Sequence, residues 1–311
     1  MSVQPAQTSG ETCILVPVYH PYRWMAPWMA RFLEKFWPDH PPLFLAGLTS
    51  EEAGDLPHIP CGSEALPRNW AEFSEEACQE LRRRGFTKCY FIGEDHLPLG
   101  PCHGEHLRKT LPSLMDRLSA SYLGLLGWDN RRQLPRNPVT AFEGHQVMRL
   151  LAKDSPRFHI HPCLFRLDVL EGCLAYLRTQ EKQTPHGFEK ACDKADAKLP
   201  EEWKQGCYQI KGEEFAVNRP GALGSLWLTL ERCYFHRMMG LYPLMRKLGY
   251  GEAFWRLVGF ENFFYQGPIP MFYSGIMVRG KASPFFVSYV EQQAARDADF
   301  RGLADAIKAN C

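Results

Sequence analysis

Short apolar runs alternate along this chain with segments of helical spacing, and that alternation limits the possible folds more than any other feature. Cys13–Val18, Leu43–Leu48, Lys88–Gly93 and Tyr122–Leu126 each have the length and composition of a buried strand. Residues 24–36 repeat large apolar side chains at helical intervals. Asn69 is placed to cap a helix from about Trp70 to Arg84, which Gly85 ends, and a further helix is predicted near 104–119. Strands separated by helices of this length imply an α/β fold built on a doubly wound, mostly parallel sheet. Downstream, residues 131–157 are basic and turn-rich, and Phe158–Pro162 precedes a helix predicted over about Leu167–Gln180. From about Leu228 the chain reads as helical and aromatic-rich. The predicted organisation is a disordered lead-in over 1–11, an α/β domain over 12–215 and a helical extension over 216–311.

Charge and hydropathy exclude several functional classes. Lys plus Arg number 36 against 35 for Asp plus Glu, so the net charge of +1 supplies no field to hold a nucleic acid. The best apolar run, Ala222–Leu230, falls far short of the ~20 residues that span a bilayer. The polar start, Met1–Glu11, lacks the basic and apolar regions of a signal peptide. The 11 cysteines are scattered with no C-x-x-C pair, which fits a reducing cytoplasm.

In an open parallel sheet, ligands bind outside the carboxyl ends of the strands. Three polar clusters fall at such ends: Tyr19-His20 after the first strand, Glu94-Asp95-His96 after the third, and Trp128-Asp129-Asn130 after the fourth. Adjacent carboxylates beside an imidazole can bind a divalent cation, and they can equally cap the loop that follows. His159 and His161 straddle one residue, so in a strand both rings share a face. That spacing suits zinc or an ordinary half-exposed pair, and no third ligand is evident nearby. No G-x-G-x-x-G follows the first strand, and no P-loop or G-x-S-x-G elbow occurs, which demotes nicotinamide oxidoreductases, P-loop kinases and α/β-hydrolases.

The order of four motifs carries a family resemblance: I-L-V-P-V-Y at the first strand, N-W-A-E-F at a helix start, Y-F-I-G-E-D-H-L-P at the third strand, and G-F-E-K further on. Together they resemble the GT-A class of nucleotide-sugar glycosyltransferases, most of all the bacterial members that build surface polysaccharide and lipopolysaccharide. The likeness covers about residues 12–215. It implies a GT-A-like sheet, a nucleoside diphosphate sugar as donor, and a glycan or lipid-linked glycan as acceptor.

The resemblance also implies site roles. Glu94 and Asp95 match the first two acids of an E-D-D motif that binds Mg²⁺ or Mn²⁺ and the donor diphosphate. His96 stands at the third acid. Either it joins Asp95 as a nitrogen ligand, favouring Mn²⁺ over Mg²⁺, or the enzyme needs no metal. Pro17, Tyr19 and His20 correspond to the nucleoside loop, with Tyr19 stacking on the base or merely closing the sheet edge. Glu189, in G-F-E-K, matches the glutamate that would deprotonate the acceptor hydroxyl in an inverting transfer. Asp129 is the alternative base, and a salt-bridged Glu189 on a solvated helix is the bland one. His161 and Arg166 are candidates for steadying the diphosphate.

The basic and aromatic segment 234–273 suits the inner face of a membrane, a helical cap or a dimer interface. Two rival readings stand beside the transferase: a nucleotidyltransferase acting on a sugar phosphate, and a non-catalytic nucleotide- or glycan-binding module.

Overall fold

The strands assemble in the order β3-β2-β1-β4-β8-β5-β9-β7-β6 in a computed structural model of the chain. It describes residues 12–62, 68–125, 139–142, 145–151, 157–192, 197–210, 244–251, 253, 267–271, 276–278 and 281–311. The strands are β1 (Thr12–Pro17), β2 (Leu43–Ala46), β3 (His58–Ile59), β4 (Lys88–Phe91), β5 (Tyr122–Gly124), β6 (Val139–Phe142), β7 (His145–Arg149), β8 (Cys163–Arg166) and β9 (Cys207–Ile210). All four predicted strands form. Parallel pairing joins β1 to β2 and β4, β2 to β3, and β5 to β9, whereas β8 lies antiparallel between β4 and β5. The β6–β7 hairpin adds antiparallel strands at the edge. Only β7 and β8 therefore oppose the other strands, and the sheet is mixed but mostly parallel.

Alternation within each strand divides the core between two faces. Ile14, Val16, Leu45 and Tyr90 point to one layer, while Cys13, Leu15, Cys89 and Phe91 point to the other. The second layer is covered by α3 (Trp70–Arg83), which Asn69 caps, and by α5 (Leu167–Arg178) and α6 (Pro185–Cys192). The first is covered by α1 (Ala26–Phe36) and α4 (Leu111–Arg117). The predicted helix near 104–119 begins with a π-helical stretch, His106–Thr110, before α4.

Of the predicted C-terminal extension, α8 (Pro284–Ala294) and α9 (Ala298–Asn310) are described. α9 packs back onto α1, with the Phe300 ring 5.0 Å from Phe32 and Lys35 bridging Asp297 and Asp299 at 2.5 and 2.7 Å, and α8 lays Tyr289 edge to face on Phe300. At Gly302 a Cβ would meet the Trp28 ring at 2.5 Å, so the helices touch closely there. No helix among the described residues is long and apolar enough to cross a membrane.

One local expectation changes. Phe158–Pro162 is a run of bends, not part of a strand, so His159 and His161 do not share a strand face. The β4–β8 ladder ends at Phe91 opposite Cys163, and of the bends before it Pro162 still accepts a backbone hydrogen bond, from Leu125 N–H at 3.2 Å.

Candidate functional site

The chain runs outward from β1 to β2 and β3, then returns to lay β4 on the other side of β1. The adjacent carboxyl ends of β1 and β4 thus flank the point where strand order reverses, where open α/β sheets form their ligand crevice. Gly93-Glu94-Asp95-His96 leaves β4 in a turn closed by His96 N–H donating to the Gly93 carbonyl at 3.0 Å. A Cβ at Gly93 would crowd Asp95 Oδ1 and His96 Nδ1 at 3.1 Å each, so this turn needs a bare backbone.

The two adjacent acids have different fates. Glu94 is buried, and its carboxyl accepts the backbone N–H of Tyr19 as well as its own. Burial and the neighbouring Asp95 charge push its pKa up from the ordinary carboxylate value, and its hydrogen bond from Tyr19 staples the β1 and β4 loops together. Asp95 keeps a quarter of its side chain exposed. Burial works to raise its pKa, but the close His96 imidazole, with His161 behind it, holds it below the ordinary value.

A chain of side chains extends from Asp95. His96 Nδ1 lies 2.8 Å from Asp95 Oδ1, a close charge contact whose alignment falls short of a hydrogen bond. His96 Nε2 lies 3.1 Å from His161 Nδ1, with the two rings edge to face. Burial first, and then the His96 imidazole, lower the His161 pKa to about 3, so its ring is neutral at physiological pH.

Beyond it, Glu189 Oε1 sits 3.6 Å from His159 Nδ1 and accepts the Ile160 N–H at 3.2 Å. Burial would raise the Glu189 pKa, yet hydrogen bonding and charge from His159 win and hold it low. Glu189 reaches this place because the preceding Phe188 is buried on α6 against Trp70 and Phe165, which turns the next side chain toward the sheet end. One ligand atom from each of His159, His161 and Glu189 lies within 4.8 Å of the others.

The remaining predicted residues scatter. Pro17 is buried at the end of β1. Tyr19 is 38% exposed and meets Tyr22 edge to face. His20 belongs to a second cluster, where its Nε2 is 3.2 Å from Arg23 Nη1 and its Nδ1 is 3.7 Å from Glu52. Arg166 is misplaced for a diphosphate at this end: it pairs with Lys88 across the amino end of β4 and forks onto Asp168 at 2.5 and 3.1 Å. Three strand residues separate it from the crevice end of β8, on the order of 10 Å at strand rise.

Asp129 and most of segment 234–273 lie outside the described residues. Within the described part of that segment, Leu244, Leu248 and Tyr250 are each more than half exposed. Trp70 is a core residue, 3% exposed.

Sequence reasoning missed two things. The third partner of the His159–His161 pair is Glu189, distant in sequence and without a spacing signal. Arg68 is buried, with Nη1 donating at 2.8 Å both to the Gly47 carbonyl and to Glu52 Oε2. Compared with known proteins, the chain matches no protein-family model and no curated protein sequence.

Proposed function

We propose that this chain is a glycosyltransferase that moves a sugar from a nucleoside diphosphate donor to a hydroxyl of a glycan or lipid-linked glycan. The observation that carries the reading is the pair of ionised carboxylates, Asp95 and Glu189, joined through His96 and His161 at the carboxyl ends of β1 and β4. The ordered motifs that resemble the GT-A class lie on these same elements. Tyr19, exposed on the β1 side of the crevice, offers an aromatic face for the nucleoside base.

A hard divalent cation such as Mn²⁺ or Mg²⁺ fits Asp95 as a single carboxylate ligand shared with donor phosphates and water. Glu94 is a poor ligand, being buried and tied to the Tyr19 N–H. His96 is a positioning residue, since both its nitrogens face protein partners. Bound at Asp95, the cation would neutralise the diphosphate as it leaves.

In the transfer the anomeric carbon–oxygen bond to the diphosphate breaks while a bond to the acceptor oxygen forms. The acceptor proton passes to a carboxylate, and Glu189 is ionised for that task. Attack from the face opposite the diphosphate inverts the anomeric centre. The exposed Leu244, Leu248 and Tyr250, with Arg246 and Lys247 between them, support a lipid-linked acceptor at the cytoplasmic membrane face.

The test is calorimetric titration of the full chain with UDP, GDP, dTDP and CMP, each with and without Mn²⁺. Metal-dependent binding of one nucleotide, lost in Asp95→Ala, is the expected result and names the donor class. Failure of all four to bind in either condition overturns the reading.

A further inference from the structure

We infer that His159, His161 and Glu189 form a binding site for a zinc-class divalent ion, separate from the carboxylate of Asp95 that the transfer reaction would use. Two imidazoles and one carboxylate are a zinc donor set that leaves a fourth position for water or substrate. Their ligand atoms lie within 4.8 Å of one another, and His159 Nδ1 to Glu189 Oε1 is 3.6 Å. Tetrahedral zinc with bonds of about 2.0–2.1 Å needs neighbouring ligand atoms roughly 3.3 Å apart, so the observed spacing closes with small side-chain adjustments.

The outer contacts favour the same conclusion. His96 stands between Asp95 and His161, with Nδ1 2.8 Å from Asp95 Oδ1 and Nε2 3.1 Å from His161 Nδ1. The tautomer in which His161 Nδ1 donates to His96 is the one that would present Nε2 to a metal. Asp95 and His96 thus orient His161 as a carboxylate orients a zinc-binding histidine through its second nitrogen. Glu189 is oriented in turn by the Ile160 N–H.

Net charge is also suitable. One carboxylate and two neutral rings reduce a divalent ion to a charge of +1, which the open position can offer to an anionic oxygen. With metal bound, Glu189 is a ligand and not a proton acceptor, so the loaded and empty forms are different states of one cluster.

The experiment uses the full chain stripped with chelator, titrated with Zn²⁺ by calorimetry and with Co²⁺ by visible absorption. Two single variants are compared with it: His159→Ala, at a partly exposed side chain, and Glu189→Gln, which keeps the shape and the contact to Ile160. Scattered cysteines can bind zinc independently, so the readout is the difference between wild type and variants.

One additional equivalent of Zn²⁺ in the wild type, and an intense Co²⁺ band that both variants lose, are expected. Asp95→Asn should keep the band and weaken Zn²⁺ binding about 10–100-fold through His96 and His161. Equal Zn²⁺ uptake and equal Co²⁺ spectra in wild type, His159→Ala and Glu189→Gln would overturn the proposal. Because the readout is the metal itself, it can fail while nucleotide binding persists, and the reverse.

Discussion

Two ionic clusters sit at the same side of the sheet and differ in which charge is in excess. At the end of β4, Asp95 and Glu189 face His96, His161 and His159, and the buried His161 ring stays neutral. After β1 and β2, a single carboxylate, Glu52, faces Arg68 at 2.8 Å, Arg23 at 3.6 Å and His20 at 3.7 Å. The first cluster holds lone pairs and negative charge, which suits a cation. The second saturates its carboxylate with permanently charged guanidinium groups, and its first duty is to lock the loops that carry Tyr19. Similar contacts therefore have different uses, decided by the balance of ionised groups.

The largest expected effect breaks the second cluster. Glu52→Ala strands the buried Arg68 charge and removes the reciprocal Thr49–Glu52 cap at the helix α2 (Ser50–Ala53). Loss of about 3 kcal/mol or more is expected in denaturant unfolding, since an unpaired buried charge is strongly unfavourable. A loss below ~1 kcal/mol would mean that Arg68 finds water and that the cluster is not structural.

Next is Gly93→Ala, aimed at the first cluster. Its Cβ would stand 3.1 Å from both Asp95 Oδ1 and His96 Nδ1, forcing that turn to shift. A stability loss of about 1–2 kcal/mol is expected, together with a larger loss of nucleotide affinity than Glu52→Gln produces. Equal affinity losses in the two variants would erase the functional distinction between the clusters.

A smaller effect separates the clusters by pH. Burial tends to raise the Glu52 pKa, but hydrogen bonds from Thr49 and Arg68 and the cationic neighbours hold it below its usual 4.5. Its contribution is thus present above pH 4.5 and lost as pH falls through the depressed folded value. The His20 pKa is lowered from 6.5, by burial first and then by Arg23, so protonation below pH 6.5 also disfavours the fold. Thermal melts from pH 7 to 3 should show a stability decline that flattens in the double variant Glu52→Gln, His20→Asn. An unchanged slope would remove both groups as the cause.

The smallest stability effect belongs to Tyr19→Ala. The ring is 38% exposed, so unfolding should move by less than about 0.5 kcal/mol while nucleotide affinity drops several-fold. Unaltered affinity would return Tyr19 to the role of closing the sheet edge.

Much of the fold was legible because its signals are local. The runs at Cys13, Leu43, Lys88 and Tyr122 became strands within a residue or two, and Asn69 caps α3 through the N–H groups of Ala71 and Glu72. Glu94-Asp95-His96 was visible as a strand-end cluster for the same reason. The opposite shifts of the two acids, Glu94 upward and Asp95 downward, were not visible, because they depend on burial of Glu94 beside Asp95 and on the His96–His161 pair. That Arg166 lies opposite Lys88, away from the other diphosphate candidates, was not legible because no strand was read at 163–166.

By itself, then, the sequence determined an alternating α/β chain with polar strand ends, since periodicity and capping act over a few residues. Tertiary structure alone decided that β8 runs antiparallel between β4 and β5. That insertion brings the bends before Cys163, and with them His159 and His161, to the carboxyl end of β4, and it sends Arg166 to the other end. Packing of Phe188 against Trp70 then delivers Glu189 to the same place. These contacts join residues far apart in the chain, and they are selected by burial and pairing across the whole sheet instead of by any local pattern.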